Sequence, residues 1–349
     1  MRIALIKTGA LGDVVRTTAL LPGLRRAHRE MHLTWVTARE ALPLVQRDPD
    51  VARAVALDDP GPWRHELYDW VISLDDDRDA CALASALDAG RLSGAHLAAD
   101  GALAYTSDLG EWFGMGILRS ERDGGLVAAN RLKQANQRPF GEILYDGLGL
   151  PAPAPRPRIA LPAGAADEAE ALVAVPGSGR RVALNTGAGG RWRFKSWGES
   201  ETTELARRLH DEDGSQVLIL GGPAERERNA RVAGAAGRPG VVTAPTDLDI
   251  VRFAALVSRC DLLVTSDSLA LHLGLAFALP VVAFFGPTSD AEIDLYGRGE
   301  KVVTPLSCRR CYLSYCDVRP HCMESLSVDT MLAAARRWLG APGPSGRNA

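Results

Sequence analysis

Arg2-Ile3-Ala4-Leu5-Ile6-Lys7-Thr8-Gly9-Ala10-Leu11-Gly12-Asp13 opens the chain with a short apolar run, a glycine-containing turn and an acidic residue. The apolar run has the length of a buried strand, and residues 13–29 follow it with the period of an amphipathic helix. Strand, turn and helix in that order make the first part of a βα unit. The alternation continues outward. Residues 33–37 read as a second strand, followed by a helix near 39–46. Residues 54–57 and 70–74 read as further strands, and 80–89 as a helix. This alternation predicts a parallel sheet with helices on both faces. Residues 101–125 are glycine-rich and weakly patterned, and are expected to form a long loop.

Pro151-Ala152-Pro153-Ala154-Pro155-Arg156-Pro157 marks a boundary. Proline fixes φ and removes amide donors, so this piece is extended and stiff. A second βα series follows, with strands at 181–185, 216–221, 261–265 and 280–285. Its helices are expected at 199–211, 225–236, 249–259 and 269–278, with a closing helix at 328–339. At 349 residues the chain is too long for one ordinary core and suits two domains. The expected division is 1–155 and 156–339, the second carrying a cysteine-rich loop at 308–322, with 340–349 a disordered tail. Two doubly wound sheets in tandem leave a cleft between them, and ligands of such sheets sit beyond the carboxyl ends of the strands.

Composition narrows the class. Forty basic residues against 43 acidic ones give a formal charge of −3, so no global basic field argues for nucleic acid. No stretch approaches the roughly 20 apolar residues of a membrane span. The N-terminal apolar run is too short for a signal peptide, with Lys7 and Asp13 close behind. The expectation is a soluble cytoplasmic protein, with at most peripheral contact at the inner face of the membrane.

Four motifs carry chemistry. In Gly9-Ala10-Leu11-Gly12-Asp13, the glycines allow a tight turn and close approach of a ligand to backbone. Asp13 then either caps the helix or takes a proton from a hydroxyl in the cleft. The pattern is not G-x-G-x-x-G, and the second strand ends Val36-Thr37-Ala38 without an acidic ribose ligand, which argues against a nicotinamide site. The second motif, Asn185-Thr186-Gly187-Ala188-Gly189-Gly190-Arg191-Trp192-Arg193-Phe194-Lys195-Ser196-Trp197, ends a strand in a glycine-rich loop with three cations. It is either an exposed basic loop or a diphosphate cradle. The third, Thr265-Ser266-Asp267-Ser268-Leu269-Ala270-Leu271-His272, leads from a strand into a helix whose first amides can hold phosphate. Asp267 suits sugar hydroxyls, and His272 lies one turn in. Phe284-Phe285-Gly286-Pro287-Thr288 ends the next strand in a sharp turn. The fourth, Gly221-Gly222-Pro223-Ala224-Glu225, places Glu225 at a helix start, where it either serves the helix or accepts from a ribose diol.

In this order the motifs resemble glycosyltransferase family 9, the ADP-heptose:lipopolysaccharide heptosyltransferases. The resemblance runs from Arg2 to about Arg337. Its most specific pieces are Gly12-Asp13 with Thr18 and Leu21-Pro22, Lys195-Ser196-Trp197, and Asp267-Ser268 through His272 to Phe285-Gly286-Pro287-Thr288. It implies the GT-B architecture, an α/β fold of two Rossmann-like doubly wound domains with an interdomain cleft. The first domain would bind the acceptor and the second the nucleotide sugar. The implied reaction moves a heptose from an ADP-heptose donor to an acceptor hydroxyl with inversion, on a lipopolysaccharide core or another glycan. The resemblance makes Asp13 the base, Lys195 the diphosphate lysine, Glu225 the ribose contact, and Asp267 and His272 donor-site residues. Gly12, Thr186, Gly187, Arg193, Ser268, Leu269, Gly286, Pro287 and Thr288 complete the expected binding set. Lys195, Arg193 or Arg191, and the amides at Ser268 and Leu269 would stabilise the leaving diphosphate. Fixed cations in place of a metal leave catalysis without a required cofactor, and domain closure would exclude water. Two positions depart from the family pattern: Leu269 stands where glycine is frequent, and Gly198 where proline commonly follows Trp197.

Cys308, Cys311, Cys316 and Cys322 form a C-x2-C-x4-C-x5-C run with His321 alongside. In a cytosolic protein such grouping favours a structural zinc or iron over a disulfide, with reduced or disulfide-bonded cysteines as the other readings. Cys81 and Cys260 lie in apolar segments and read as core. Two rival readings stay open: another nucleotide-sugar enzyme of the same fold, a hexosyltransferase or epimerase, and a non-catalytic metal-containing binding protein. Arg16, Arg25, Arg26 and Arg39 either face an anionic acceptor or form a solvated helix surface.

Overall fold

The computed structural model describes residues 1–340 apart from 117, 119, 120, 122, 123, 174–177, 190–192 and 314. The expected tail at 340–349 lies, apart from Gly340, outside the described residues. The chain divides into two compact units. One comprises Met1–Ala160 with Ala291–Asp294, and the other Leu161–Asp290 with the chain from Leu295 onward.

The first unit runs β1 (Arg2–Ile6), α1 (Leu11–Thr17), α2 (Leu20–Ala27), β2 (His32–Thr37), α3 (Leu42–Val45), β3 (Arg53–Ala56), β4 (Trp70–Ser73), α4 (Arg78–Ala86), β5 (Leu92–Leu97), β6 (Leu103–Tyr105), α5 (Gly110–Gly114), α6 (Gly125–Ala135) and α7 (Phe140–Leu148). Its sheet has the order β3-β2-β1-β4-β5-β6. All pairs are parallel except β5 with β6, which closes the edge antiparallel. The second unit runs α8 (Ala165–Ala171), β7 (Arg181–Asn185), α9 (Glu199–Asp211), β8 (Gln216–Leu220), α10 (Arg226–Ala236), β9 (Val241–Thr243), α11 (Ile250–Ser258), β10 (Leu262–Ser266), α12 (Leu269–Ala276), β11 (Val281–Phe285), β12 (Gly299–Val303) and α13 (Val328–Leu339). Its order is β12-β11-β10-β7-β8-β9, parallel throughout. Numbered within each unit, both sheets follow the Rossmann order 3-2-1-4-5-6, so each has one switch point, at β1/β4 and at β7/β10.

Central strands of both sheets are buried along nearly their whole length, β4 and β8 completely. That is why their sequences run apolar without alternation. Trp35, Tyr68 and Trp70 are fully enclosed in the first unit. Each keeps its polar atom satisfied: Trp35 Nε1 donates to the Lys7 carbonyl, Tyr68 Oη to the Trp63 carbonyl, and Trp70 Nε1 to Ser93 Oγ. Burying a side chain of this size stabilises by roughly 1.5–3 kcal/mol. No described helix is long and apolar enough to cross a membrane.

Three expectations are corrected. The single helix over 13–29 is two helices. Thr18 Oγ1 bonds the Val15 carbonyl at 2.7 Å, and α2 restarts at Leu20. Pro22 therefore falls in a first turn, where its missing N–H leaves no gap. The helix near 39–46 is a 3-10 turn, Arg39–Ala41, followed by the single turn α3. Residues 101–125 are not one loop, because β6, a 3-10 turn at Ser107–Leu109 and α5 interrupt the stretch.

Candidate functional site

In the second unit, the turns after β7 and β10 meet at the switch point. Asn185, the last residue of β7, donates from Nδ2 to the Gly187 carbonyl at 2.8 Å, to Thr265 Oγ1 at 3.0 Å and to Ser268 Oγ at 3.1 Å. One amide thus ties the second motif to the third. Ser268 is the N-cap of α12, but its hydroxyl pairs with Thr265 Oγ1 at 2.9 Å and makes no side-chain cap bond. Lys195 is 9 % exposed, with Nζ 3.5 Å from Asp267 Oδ2. His272 Nε2 lies 3.8 Å from Asp267 Oδ1. Asp267 therefore stands between two nitrogens, with Lys195 as its cationic neighbour.

Packing sets the position of Lys195. Trp197 is buried in the core, and its Nε1 donates to the Leu326 carbonyl at 3.0 Å. Arg228 of α10 donates to the carbonyls of Thr186 and Trp197, bracketing the loop that carries Lys195. Burial pushes the Arg228 guanidinium below its ordinary value. Arg191 and Trp192 lie outside the described residues, as does the side chain of Arg193.

Glu225 is the N-cap residue of α10, and its Oε2 accepts the Gly222 N–H at 2.8 Å. A Cβ on Gly221 would come within 2.8 Å of Glu225 Cβ and 2.7 Å of Asn229 Nδ2. Only glycine lets the strand end approach so closely. Thr186 Oγ1 bonds Asn229 Oδ1 at 2.5 Å and the Leu220 carbonyl at 3.1 Å, so Thr186 is held as framework at this site. Gly286 has a packing reason of its own: an added Cβ would meet Cys322 Sγ and Met323 Cε at 2.5 Å. Its carbonyl and that of Pro287 accept the N–H groups of Arg310 and Tyr312, and Thr288 is buried. Leu269 begins α12.

In the first unit, Gly12 and Asp13 are the second and third residues of α1. The N-cap is Ala10, which offers no side-chain bond. Asp13 is therefore not the cap, and its carboxylate Oδ1 lies 2.9 Å from Arg16 Nε. The preceding turn is held by Asp75, two residues past the end of β4. That carboxylate takes the amides of Thr8 and Gly9, the Thr8 hydroxyl and the Lys7 ammonium. Burial pushes the neighbouring Asp76 carboxyl above its ordinary value. The run Asp75-Asp76-Asp77 after an apolar strand was a readable signal that sequence reasoning passed over. The arginines of this unit are also committed: Arg25 pairs with Asp50, Arg26 with the carbonyls of Pro151 and Pro153, and Arg39 with Asp58 and Asp59.

The metal expectation gains no support from the structure. Among the described residues, no group of three or more His, Cys, Asp or Glu is arranged to hold an ion. Cys308 is exposed, whereas Cys322 is buried against Gly286 and joins the core of the second unit. Burial pushes the Cys322 thiol up to about 11 and raises that of Cys311.

Known proteins place this geometry. Over 335 residues the chain is 27% identical to lipopolysaccharide heptosyltransferase 1 of Pseudomonas aeruginosa, covering 92% of this chain and 88% of the relative. The glycosyltransferase family 9 structure from Veillonella parvula superposes with a TM-score of 0.73 at 19% identity, covering 97% of each chain. The ADP-heptose lps heptosyltransferase II of E. coli gives 0.71 at 17% identity, covering 97% of this chain and 98% of that one. The sequence model of glycosyltransferase family 9 (heptosyltransferase) matches residues 122–319. That match spans more than half of the 349 residues and takes in the second sheet with its Lys195, Glu225, Asp267 and His272 turns, so the chain belongs to glycosyltransferase family 9 and is a glycosyltransferase of the heptosyltransferase family.

Proposed function

We propose that this enzyme transfers a heptose from ADP-heptose to a hydroxyl of a lipopolysaccharide core, with inversion at the anomeric carbon. The first unit takes the acceptor and the second the nucleotide sugar. The observation that carries the reading is the Lys195–Asp267–His272 cluster at the β7/β10 switch point, in a chain of this family. The P. aeruginosa relative is named for lipopolysaccharide and the E. coli structure for ADP-heptose, and both names point the same way.

The chemistry follows from charge. The acceptor oxygen attacks the anomeric carbon, Asp13 takes its proton, and the bond to ADP breaks with its electron pair on the diphosphate. Lys195 and the amides at Ser268 and Leu269 meet the charge that develops there. Preorganised donors of this kind are worth about 10²–10³ in rate each. Glu225 receives the ribose diol, and Asp267 and His272 face the sugar and phosphate side. Gly12, Gly187, Gly286, Pro287 and Thr288 supply backbone and close-packed walls.

A thermal-shift comparison tests the donor half. ADP is expected to raise the melting temperature with UDP silent, because binding to the native state stabilises it by mass action. Protection by UDP and none by ADP would favour a different nucleotide-sugar enzyme on this fold.

A further inference from the structure

Arg16 lies one turn beyond Asp13 on α1, on the same helix face. Its side chain is only 15 % exposed. The guanidinium carbon sits 4.1 Å from the ring centroid of Phe140 and 5.1 Å from that of Trp112. These two rings meet edge to face with centroids 4.9 Å apart. A cation clamped in this way loses its rotamer freedom on folding and presents its nitrogens at fixed positions. Two carboxylates face it. Asp13 Oδ1 is 2.9 Å from Nε, and Glu292 Oε2 is 3.8 Å from a terminal nitrogen. The Asp13 contact lies off the N–H direction, so it is an ion pair and not an aligned hydrogen bond. Glu292 belongs to the short segment Ala291–Asp294 that is part of the first unit, and its carbonyl accepts the Phe140 N–H at 2.9 Å.

We propose that Arg16 is the positioning residue of the Asp13 carboxylate and that Glu292 is the counter-charge that keeps this carboxylate able to take a proton. The proposal rests on Asp13 being the base. A carboxylate that takes a proton stops compensating the guanidinium beside it, and Glu292 keeps a negative charge facing Arg16 when Asp13 does so. The proton moves from the acceptor hydroxyl to an Asp13 oxygen, while Arg16 stays paired with Glu292 throughout. The aromatic clamp holds the guanidinium still between the two states.

The test uses the full chain with ADP-heptose and heptose-deficient lipopolysaccharide as acceptor. Arg16→Gln is expected to lower kcat ten- to hundredfold with KM for both substrates within threefold, and Arg16→Lys to recover part of that loss. Glu292→Gln leaves the clamp intact and is expected to lower kcat at least fivefold, which keeps the proposal testable if Arg16→Gln does not fold. ADP-induced thermal protection reports on folding in each case. The double variant Asp13→Asn/Arg16→Gln should be no slower than Asp13→Asn, because Arg16 acts through Asp13. Additive losses, a rise in KM with kcat unchanged, or wild-type kcat in folded Arg16→Gln and Glu292→Gln would overturn the positioning role while leaving Asp13 as base. Turnover by Asp13→Asn within a few-fold of wild type would overturn both.

Discussion

Lys195 rests on Asp267 at 3.5 Å in a nearly buried position, and in the proposed function the same ammonium that faces this carboxylate meets the diphosphate. Lys195→Gln removes the only charge in that contact able to meet phosphate. ADP affinity by calorimetry should fall roughly tenfold to a hundredfold, the range for losing a charged hydrogen bond of about 1.5–3 kcal/mol. Unchanged affinity would remove Lys195 from the diphosphate. Residue identity was legible here because Lys195-Ser196-Trp197 couples a cation to a tryptophan that the core demands. Asp13 was legible as a carboxylate at a helix start but not as to its duty. The structure moves the cap to Ala10 and leaves Asp13 one turn from Arg16. Glu292 gave no local sign, since it acts on residues far away in sequence.

At the scale of elements, the loop after β11 is braced by the cysteine-rich segment. Arg310 and Tyr312 adopt left-handed φ of 61° and 51°. Their amides reach the Gly286 and Pro287 carbonyls, Tyr312 Oη accepts the Ser289 N–H, and Arg310 grips Asp290 with two bonds of 2.6 and 2.8 Å. Left-handed backbone at non-glycine residues costs on the order of 1–3 kcal/mol each, which these bonds offset. Burial works against the Asp290 charge, yet Arg310 holds its carboxyl below the ordinary 3.8. A depressed carboxyl stabilises the fold above its unfolded value, and that contribution is lost as pH falls through the folded value. Arg310→Gln should therefore destabilise by about 3 kcal/mol at neutral pH, with the difference from wild type shrinking below pH 3.8 in urea titrations. A difference that persists unchanged into acid would mean the pair is not the brace. Sequence reading found this segment by its cysteines; the contacts add backbone pairing and one buried ion pair that no local pattern announced. Strands β9 and β12 escaped it because each is a short edge strand with little apolar signal.

For the whole molecule, two sheets of one strand order explain why a sequence with 17–19% identity to solved heptosyltransferase structures keeps their fold. The alternation of strand and helix was readable along the central strands of both sheets, because those parallel strands are apolar nearly from end to end. The acceptor was not readable, since its contacts depend on side chains that local periodicity does not constrain. Incubating the full chain with ADP-heptose and heptose-deficient lipopolysaccharide, read by mass spectrometry, tests the central claim most directly. The account predicts one heptosyl unit added to the acceptor with matching release of ADP, and loss of both in Asp13→Asn. An acceptor left unmodified while the same preparation transfers a hexose from another nucleotide sugar would contradict it.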